Sequence, residues 1–233
     1  MLLTIILCQG ASAATTKGKE AQNMDKLTGN IHWLGHDSFR IDGEGVVIYI
    51  DPYKLKEGPK ADLILITHEH GDHLDLKAIQ AMKKDNTQIY YTEKCAVSLS
   101  GGKVMRNGDS QLYGPFRIEA VPAYNLENGP EDGMVYHAKG DGNGYILTLG
   151  DKRLYIAGDT ENTPEMKALK NIDIAFLPMN LPYTMTPDMV ADAVKAFKPK
   201  ILYPYHYGET DTQKLFDLLK DQKDTEIRLR KMK

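Results

Sequence analysis

HEHGDH, the stretch at residues 68–73, decides how this sequence folds. It places three histidines and Asp72 directly after ADLILIT, residues 61–67, which is an almost continuously apolar run. Such a run is typical of a strand covered on both faces, so the polar stretch begins where a buried strand ends. Neutral imidazole nitrogens and carboxylate oxygens are ligands for zinc and other divalent transition metals. We therefore expect a metal site held rigidly at a strand end.

Around this stretch, short strand-like and helix-like segments alternate along the chain. Residues 46–50 and two runs before them predict an antiparallel start, and Thr186 followed by Pro187 and Asp188 predicts a capped helix that ends near Phe197. The other expected elements are strands at 31–34, 38–41, 88–92, 116–122, 144–149, 153–157, 172–177 and 200–205, and helices at 76–83 and 212–219. The pattern predicts an α/β fold.

Two later strands also end in residues that bind metals well. Asp159 follows the strand at 153–157, and His206 follows the strand at 200–205. These side chains can meet the histidine-rich stretch only if two sheets stack with their strand ends at one edge. We therefore expect Asp159 and His206 to complete the site.

The spacing of HEHGDH resembles the His-x-His-x-Asp-His motif of the metallo-β-lactamase superfamily. Asp51 in YIDP, Asp159 in YIAGDT and His206 in YPYHYG fall in the order and approximate spacing of that family's other motifs. The segments WLGHDSF and LPMNLPYTMTP look most like the branch that contains the ascorbate-phosphate lactonase and, more distantly, the phospholipase D that hydrolyses N-acylphosphatidylethanolamine.

This resemblance implies a four-layer αβ/βα sandwich, the metallo-β-lactamase fold, with two metals in a groove at one edge of the sheets. It implies a first metal bound by His68, His70 and a third histidine. It implies a second metal bound by Asp72, His73 and His206, with Asp159 as the carboxylate that bridges the two. Zinc is the expected metal, and manganese and iron are the alternatives.

The third ligand of the first metal departs from the branch's pattern. Where the branch has a histidine in a Pro-Ala-x-His setting, this chain has Asn125. An amide oxygen is a poorer ligand than an imidazole for a borderline-soft metal. His137, in the segment YHAKGDGNGY, is the natural substitute. We expect His137 at this position, with Asn125 or a water-filled position as the alternatives.

Two further residues are expected near the groove. His36 lies in the WLGHDSF turn, where it faces the substrate or a metal ligand, unless it is only a turn residue satisfied by the backbone. Asp51 is expected to orient a ligand imidazole through the nitrogen that does not bind metal, unless it forms an ordinary Asp-Pro turn.

The expected activity is hydrolysis. When two divalent ions lie about 3.5–4 Å apart, a bridging water loses a proton near neutral pH and becomes a hydroxide nucleophile. We expect Asp72 to orient it, with His36 nearby, for attack on an ester, lactone, amide or phosphodiester bond in a small molecule. An exported metal-binding module without turnover is the alternative. The diiron oxidoreductases of the superfamily are disfavoured because His70 stands where they have a carboxylate.

Composition limits the partners. The chain of 233 residues has 32 acidic side chains against 29 Lys and Arg, a formal net charge of −3, so it offers no basic field for nucleic acid. No run approaches the roughly 18 apolar residues that a membrane span needs.

The first residues of the chain predict export. Residues 1–13 are apolar and end in small residues with Ala-x-Ala spacing, which is typical of a secretory signal cut after Ala13, and we expect the periplasm as the destination. Cys8 offers a less favoured lipoprotein alternative. The expected organisation is a signal and loose leader over 1–26, followed by a hydrolase domain over 27–233.

Overall fold

The structure, a computed structural model, describes residues 28–232 and contains two mixed β-sheets. The expected export signal lies outside these residues. In the first sheet the strand order is β1-β2-β3-β4-β5-β6, with β1 Ile31–Gly35, β2 Ser38–Gly43, β3 Val46–Ile50, β4 Leu63–Leu65, β5 Gln88–Tyr91 and β6 Lys103–Val104. Strands β1 to β3 pair antiparallel, as expected, and β3 to β6 pair parallel.

The second sheet has the same organisation, with an antiparallel part followed by a parallel part. Its order is β13-β12-β11-β10-β9-β8-β7, with β7 Ser110–Tyr113, β8 Phe116–Ala123, β9 Gly142–Leu149, β10 Lys152–Ile156, β11 Ile174–Pro178, β12 Ile201–Tyr205 and β13 Glu226–Ile227. Strands β7 to β10 pair antiparallel and β10 to β13 pair parallel. In both sheets, parallel pairing therefore brings several strand carboxyl ends to the same edge.

Helices cover the outer faces of both sheets. They are α1 Leu76–Met82, α2 Pro164–Lys167, α3 Pro187–Phe197 and α4 Thr212–Leu219, together with a 3-10 turn at Cys95–Val97. Helix α3 begins as expected, since the Thr186 hydroxyl accepts a hydrogen bond from the Met189 amide at 3.1 Å. No helix within 28–232 is long and apolar enough to cross a membrane.

Strand alternation separates the core into layers. Leu63 and Leu65 of β4 face the core between the sheets, whereas Ile64 packs in the cluster that contains Ile79 of α1. Between the sheets, the Phe39 ring of β2 stacks on the Phe176 ring of β11, with centroids 4.5 Å apart. On the outer side of the second sheet, the rings of Tyr155 in β10 and Phe197 in α3 meet edge to face at 6.1 Å. The result is the expected four-layer sandwich of helix, sheet, sheet and helices.

The expected strands and longer helices agree with the structure to within about three residues at their ends. Within residues 28–232, five short elements were not predicted: β6, β7, β13, α2 and the 3-10 turn at Cys95–Val97. Strands β6 and β13 are two residues long, and α2 has four residues. Elements this short lack the repeated apolar spacing that a sequence pattern needs.

Candidate metal centre

The predicted site residues meet at the edge where the parallel strands end. His68 follows β4, Asp51 follows β3, and His206 follows β12. Asp51 and His206 adopt left-handed backbone conformations, with φ of 41° and 44°. A non-glycine residue with positive φ is uncommon and costs about 1–2 kcal/mol, and such residues cluster at functional sites. The backbone therefore turns sharply at this edge to aim the side chains inward.

Three histidines form the first cluster. The Nδ1 atom of His70 lies 3.1 Å from Nε2 of His68 and 3.2 Å from Nε2 of His137. Because one imidazole nitrogen carries at most one proton, His70 cannot make two full hydrogen bonds with this atom. Three converging nitrogen atoms, all within 4.8 Å of one another, are instead arranged as they would be around a metal ion.

Neighbouring groups fix the His68 imidazole. The Thr67 hydroxyl donates to Oδ2 of Asp51 at 2.6 Å, so its oxygen accepts from Nδ1–H of His68 at 3.0 Å. The proton on Nδ1 leaves the Nε2 lone pair directed at the cluster, which is the tautomer that a metal ligand requires.

The second cluster contains Asp72, His73, Asp159 and His206, as expected. Nε2 of His206 lies 3.8 Å from Oδ2 of Asp72 and 3.5 Å from Oδ2 of Asp159. Nε2 of His73 lies 3.6 Å from Oδ1 of Asp159. Both atoms of this last pair are buried, and neither has a hydrogen-bond partner among residues 28–232. Leaving buried polar atoms unsatisfied is costly, so the pair fits an additional cation between them.

Asp159 lies between the two clusters. Its Oδ2 atom is 3.6 Å from Nε2 of His137 in the first cluster and 3.5 Å from Nε2 of His206 in the second. A single carboxylate thus contacts both groups of ligands, which is the position that the expected bridging residue requires.

Two buried carboxylates hold His73 from behind. Its Nδ1 atom lies 2.9 Å from Oδ2 of Asp51 and 2.8 Å from Oδ2 of Asp37. The orienting role expected for Asp51 therefore has a geometric basis. Asp37 was not anticipated, although it directly follows His36 in the WLGHDSF turn. Its position next to a site candidate was the available signal.

Burial keeps the ligand imidazoles of the first cluster neutral. It lowers the pKa of His68 well below its usual value, and it lowers the pKa of His137 to about 4. At neutral pH both rings therefore have a free lone pair to offer to a metal.

In the second cluster, the charges favour a cation. Burial acts to raise the pKa of Asp159, but His206 and His73 outweigh burial and lower the pKa well below its usual range. Burial likewise acts to lower the pKa of His73, but Asp37 and Asp159 raise it well above its usual value. The carboxylates thus stabilise a positive charge at this point, where a divalent ion can take the place of a proton.

His36 lies beside the second cluster. Its Nε2 atom is 3.1 Å from Oδ2 of Asp72, and its carbonyl accepts a hydrogen bond from the His206 amide at 3.2 Å. Burial raises the pKa of Asp72, yet the contact with His36 and the charges of His73 and His206 bring it below its usual value. Asp72 is therefore ionised at neutral pH, and the proton of the contact belongs to His36.

Asn125 lies behind His137 and not among the ligand atoms. Its Oδ1 atom is 2.6 Å from Nδ1 of His137, on the opposite side of the ring from the cluster. Of the alternatives for the third position, the structure thus places His137 at the first cluster and Asn125 in contact with its outer nitrogen.

The chain also matches known proteins in sequence. Residues 30–206 match the model of the beta-lactamase superfamily domain. The chain is 33% identical over 195 residues to a metal-dependent hydrolase of Methanopyrus kandleri, covering 76% of this chain and 84% of that protein.

Solved structures of two hydrolases superpose on this chain. A Parabacteroides distasonis protein described as a metal-dependent hydrolase superposes with a TM-score of 0.82 at 50% identity, covering 87% of this chain and 93% of that chain. A metallo hydrolase of Ignicoccus hospitalis superposes with a TM-score of 0.69 at 22% identity, covering 86% and 94%. At 22% identity the second likeness concerns the fold alone.

Proposed function

Because the chain belongs to the beta-lactamase superfamily and is a metal-dependent hydrolase, we propose that it works with two divalent metal ions, one in each cluster. The observation that carries this proposal is the position of Asp159, whose carboxylate contacts ligand nitrogens of both clusters at 3.5–3.6 Å. A single metal site would not need a shared carboxylate.

Each cluster offers its own set of ligands. We assign His68, His70 and His137 to the first ion, Asp72, His73 and His206 to the second, and Asp159 to both. These five imidazoles and two carboxylates suit zinc, and manganese and iron tolerate the same donors. Divalent ions in such a site act as Lewis acids and lower the pKa of water toward neutrality.

The protein's own groups position the reactants. Asp72 is ionised and accepts a hydrogen bond from His36 at 3.1 Å, so it is held ready to accept one from the attacking water. His36 thus acts by orienting Asp72. The substrate is a small molecule with an ester, lactone, amide or phosphodiester bond, and the geometry does not favour one of these bonds over the others.

The asparagine at position 125, where a ligand histidine is expected, would favour the alternative of a metal-binding module without turnover. However, Nε2 of His137 lies with the first cluster and supplies the third imidazole, so the asparagine does not leave that cluster incomplete. No observation in the described residues favours the alternative.

Activity screening of metal-loaded protein tests the proposal. The purified chain is stripped with a chelator, reloaded with zinc, manganese or iron, and assayed on a panel of carboxylic esters, lactones, amides and phosphodiesters. We expect hydrolysis of at least one class that chelation abolishes and two equivalents of metal restore. Full activity with one equivalent would contradict the two-metal assignment.

A further inference from the structure

Glu161 is a fully buried carboxylate that takes no direct part in the clusters described above. Its oxygens accept hydrogen bonds from the backbone amides of Leu126 at 3.1 Å, Glu127 at 3.2 Å and Asn128 at 2.7 Å. They also accept one from Nδ2 of Asn125 at 3.2 Å. A buried carboxylate is tolerated only when it is satisfied in this way, so Glu161 is held firmly in one orientation.

The Asn125 amide can have only one orientation in this setting. Its Nδ2 atom faces two acceptors, Glu161 and the carbonyl of Tyr183 at 2.8 Å. Its Oδ1 atom faces the backbone N–H of His137 at 3.0 Å. If the amide were flipped, its NH2 group would face the backbone N–H of His137, so two donors would meet. Its oxygen would then face the Glu161 carboxylate, so two acceptors would meet. Glu161, together with the Tyr183 carbonyl and the His137 N–H, therefore determines which end of the amide meets the His137 ring.

That choice decides which nitrogen of His137 carries the proton. Nδ1 lies 2.6 Å from the Asn125 oxygen, which can only accept, so Nδ1 must be the protonated nitrogen. A neutral imidazole carries a single ring proton. Nε2 is then left with its lone pair directed at His70, 3.2 Å away.

We propose that Glu161, acting through Asn125, is a positioning residue that sets the tautomer of His137 and thereby holds Nε2 as a ligand for the first metal ion. The tautomer is a property of the chain itself, and only its effect on metal binding rests on the proposed function. The arrangement explains how a chain with asparagine at position 125 keeps a third imidazole at the cluster.

The alternative is that Glu161 only holds the loop that carries Asn125 and Asn128. The chain offers a matched control for this possibility. Asn128 lies in the same loop, and its side-chain amide donates to the Thr184 carbonyl at 2.7 Å, but no bond links that side chain to His137. Asn128→Ala therefore loosens the loop but keeps the hydrogen bonds that connect Glu161, Asn125 and His137. Asn125→Ala removes those hydrogen bonds.

Nitrogen-15 NMR of the histidine rings in chelator-stripped protein measures the tautomer directly, with His137→Gln used to assign the signal. We expect the Nδ1–H form in the full chain and in Asn128→Ala, and predominantly the Nε2–H form or a mixture in Asn125→Ala. In Glu161→Gln, the new side-chain NH2 group can donate to the Asn125 oxygen. The Asn125 amide can then adopt the flipped orientation in part of the molecules, and we expect both the Nδ1–H and the Nε2–H forms of His137. That variant decides the question if Asn125→Ala does not fold.

Zinc titration against a chromophoric chelator provides the second measurement. Loss of an outer partner of a ligand histidine lowers metal affinity by about 10–100-fold, and we expect a loss of this size for one equivalent in Asn125→Ala and a much smaller one in Asn128→Ala. An unchanged Nδ1–H tautomer in Asn125→Ala or in Glu161→Gln, or equal loss of affinity in Asn125→Ala and Asn128→Ala, would overturn the proposal. If the full chain binds no zinc while the tautomer responds as expected, the proposed metal site fails and the positioning role of Glu161 stands.

Discussion

The Nε2 atom of His137 lies 3.2 Å from the Nδ1 atom of His70, although 67 positions separate the two residues in the sequence. His70 belongs to the stretch that follows β4 of the first sheet, and His137 comes from the loop between β8 and β9 of the second. The contact therefore joins the two sheets at the metal edge, and it makes His137 the third imidazole of the first cluster.

Replacing His137 should remove one metal ion. In His137→Ala we expect the metal content to fall from two equivalents to about one, and turnover to fall by more than about 100-fold, because only two imidazoles remain at the first cluster. Elemental analysis of dialysed protein measures the content. His32→Ala is the control, since His32 pairs with Asp42 at 2.9 Å on the surface and should retain both ions.

Asp159→Ala and His73→Ala should each lose metal while the fold is retained. Asp159 contacts ligands of both clusters, and Nε2 of His73 has no other partner in the structure. We expect abolished hydrolysis and a circular dichroism spectrum like that of the parent protein. Metal content unchanged in both variants would rule out the shared carboxylate.

His36→Asn should lower turnover while metal content stays at two equivalents. His36 contacts Asp72 at 3.1 Å and has a φ of 56°, a conformation that asparagine tolerates well. Since asparagine is too short to hold Asp72 in the same way, we expect a loss of about 10–100-fold in kcat, the range seen when an outer partner of a metal ligand is removed. A variant with parental kcat would show that His36 is only a turn residue.

Gly158, which precedes Asp159, should not accept a side chain. Its φ is 65°, and a Cβ atom there would lie 2.9 Å from the Asn143 carbonyl and 3.1 Å from Cβ of Thr67. Gly150 has a φ of 60° with nothing within 4 Å, so Gly150→Ala isolates the cost of the backbone conformation, about 1–2 kcal/mol. We expect Gly158→Ala to cost about 1–3 kcal/mol more in urea unfolding, because crowding adds to the strain. Equal losses would contradict the close approach.

Without metal, His137 should make the protein less stable as the pH falls from about 6.5 to about 4. Burial lowers the folded-state pKa of His137 to about 4, against about 6.5 for an exposed histidine. Between these values the unfolded chain binds the proton and the folded chain does not, so the free energy of unfolding decreases as the pH falls. This histidine alone contributes up to about 3 kcal/mol.

His137→Gln removes this contribution, so urea unfolding of the chelator-stripped variant should depend less steeply on pH in that window. Both proteins are to be measured at several pH values between 7.5 and 4. Parallel curves for parent and variant would show that His137 keeps an ordinary pKa in the folded protein.

Much of the fold could be predicted from the sequence because local pattern and tertiary structure agree. The apolar run at 61–67 contains β4, and the Thr186-Pro187-Asp188 segment begins α3 where the cap rules place it. His68, Asp159 and His206 could be predicted because each follows a strand, and the ends of parallel strands meet at one edge of a sheet. His137 lies in the loop between β8 and β9, and its prediction came from the departure at Asn125.

The residues behind the ligands could not be predicted in the same way. Asp37 and Glu161 lie one and two residues from the site candidates His36 and Asp159, but that proximity does not distinguish a buried carboxylate from a surface one. Their partners, His73 and Asn125, are far away in the sequence. The part played by Asn125 was also missed, since a position where histidine is expected suggests a ligand and not a support for another ligand. Only the folded arrangement reveals which nitrogen of His137 it contacts.

Anomalous scattering from crystals of the metal-loaded protein tests the central claim most directly. The account predicts two peaks at the metal edge, the first bound by His68, His70 and His137 and the second by Asp72, His73 and His206, with the Asp159 carboxylate touching both. A single peak, or two peaks of which only one contacts Asp159, would contradict it.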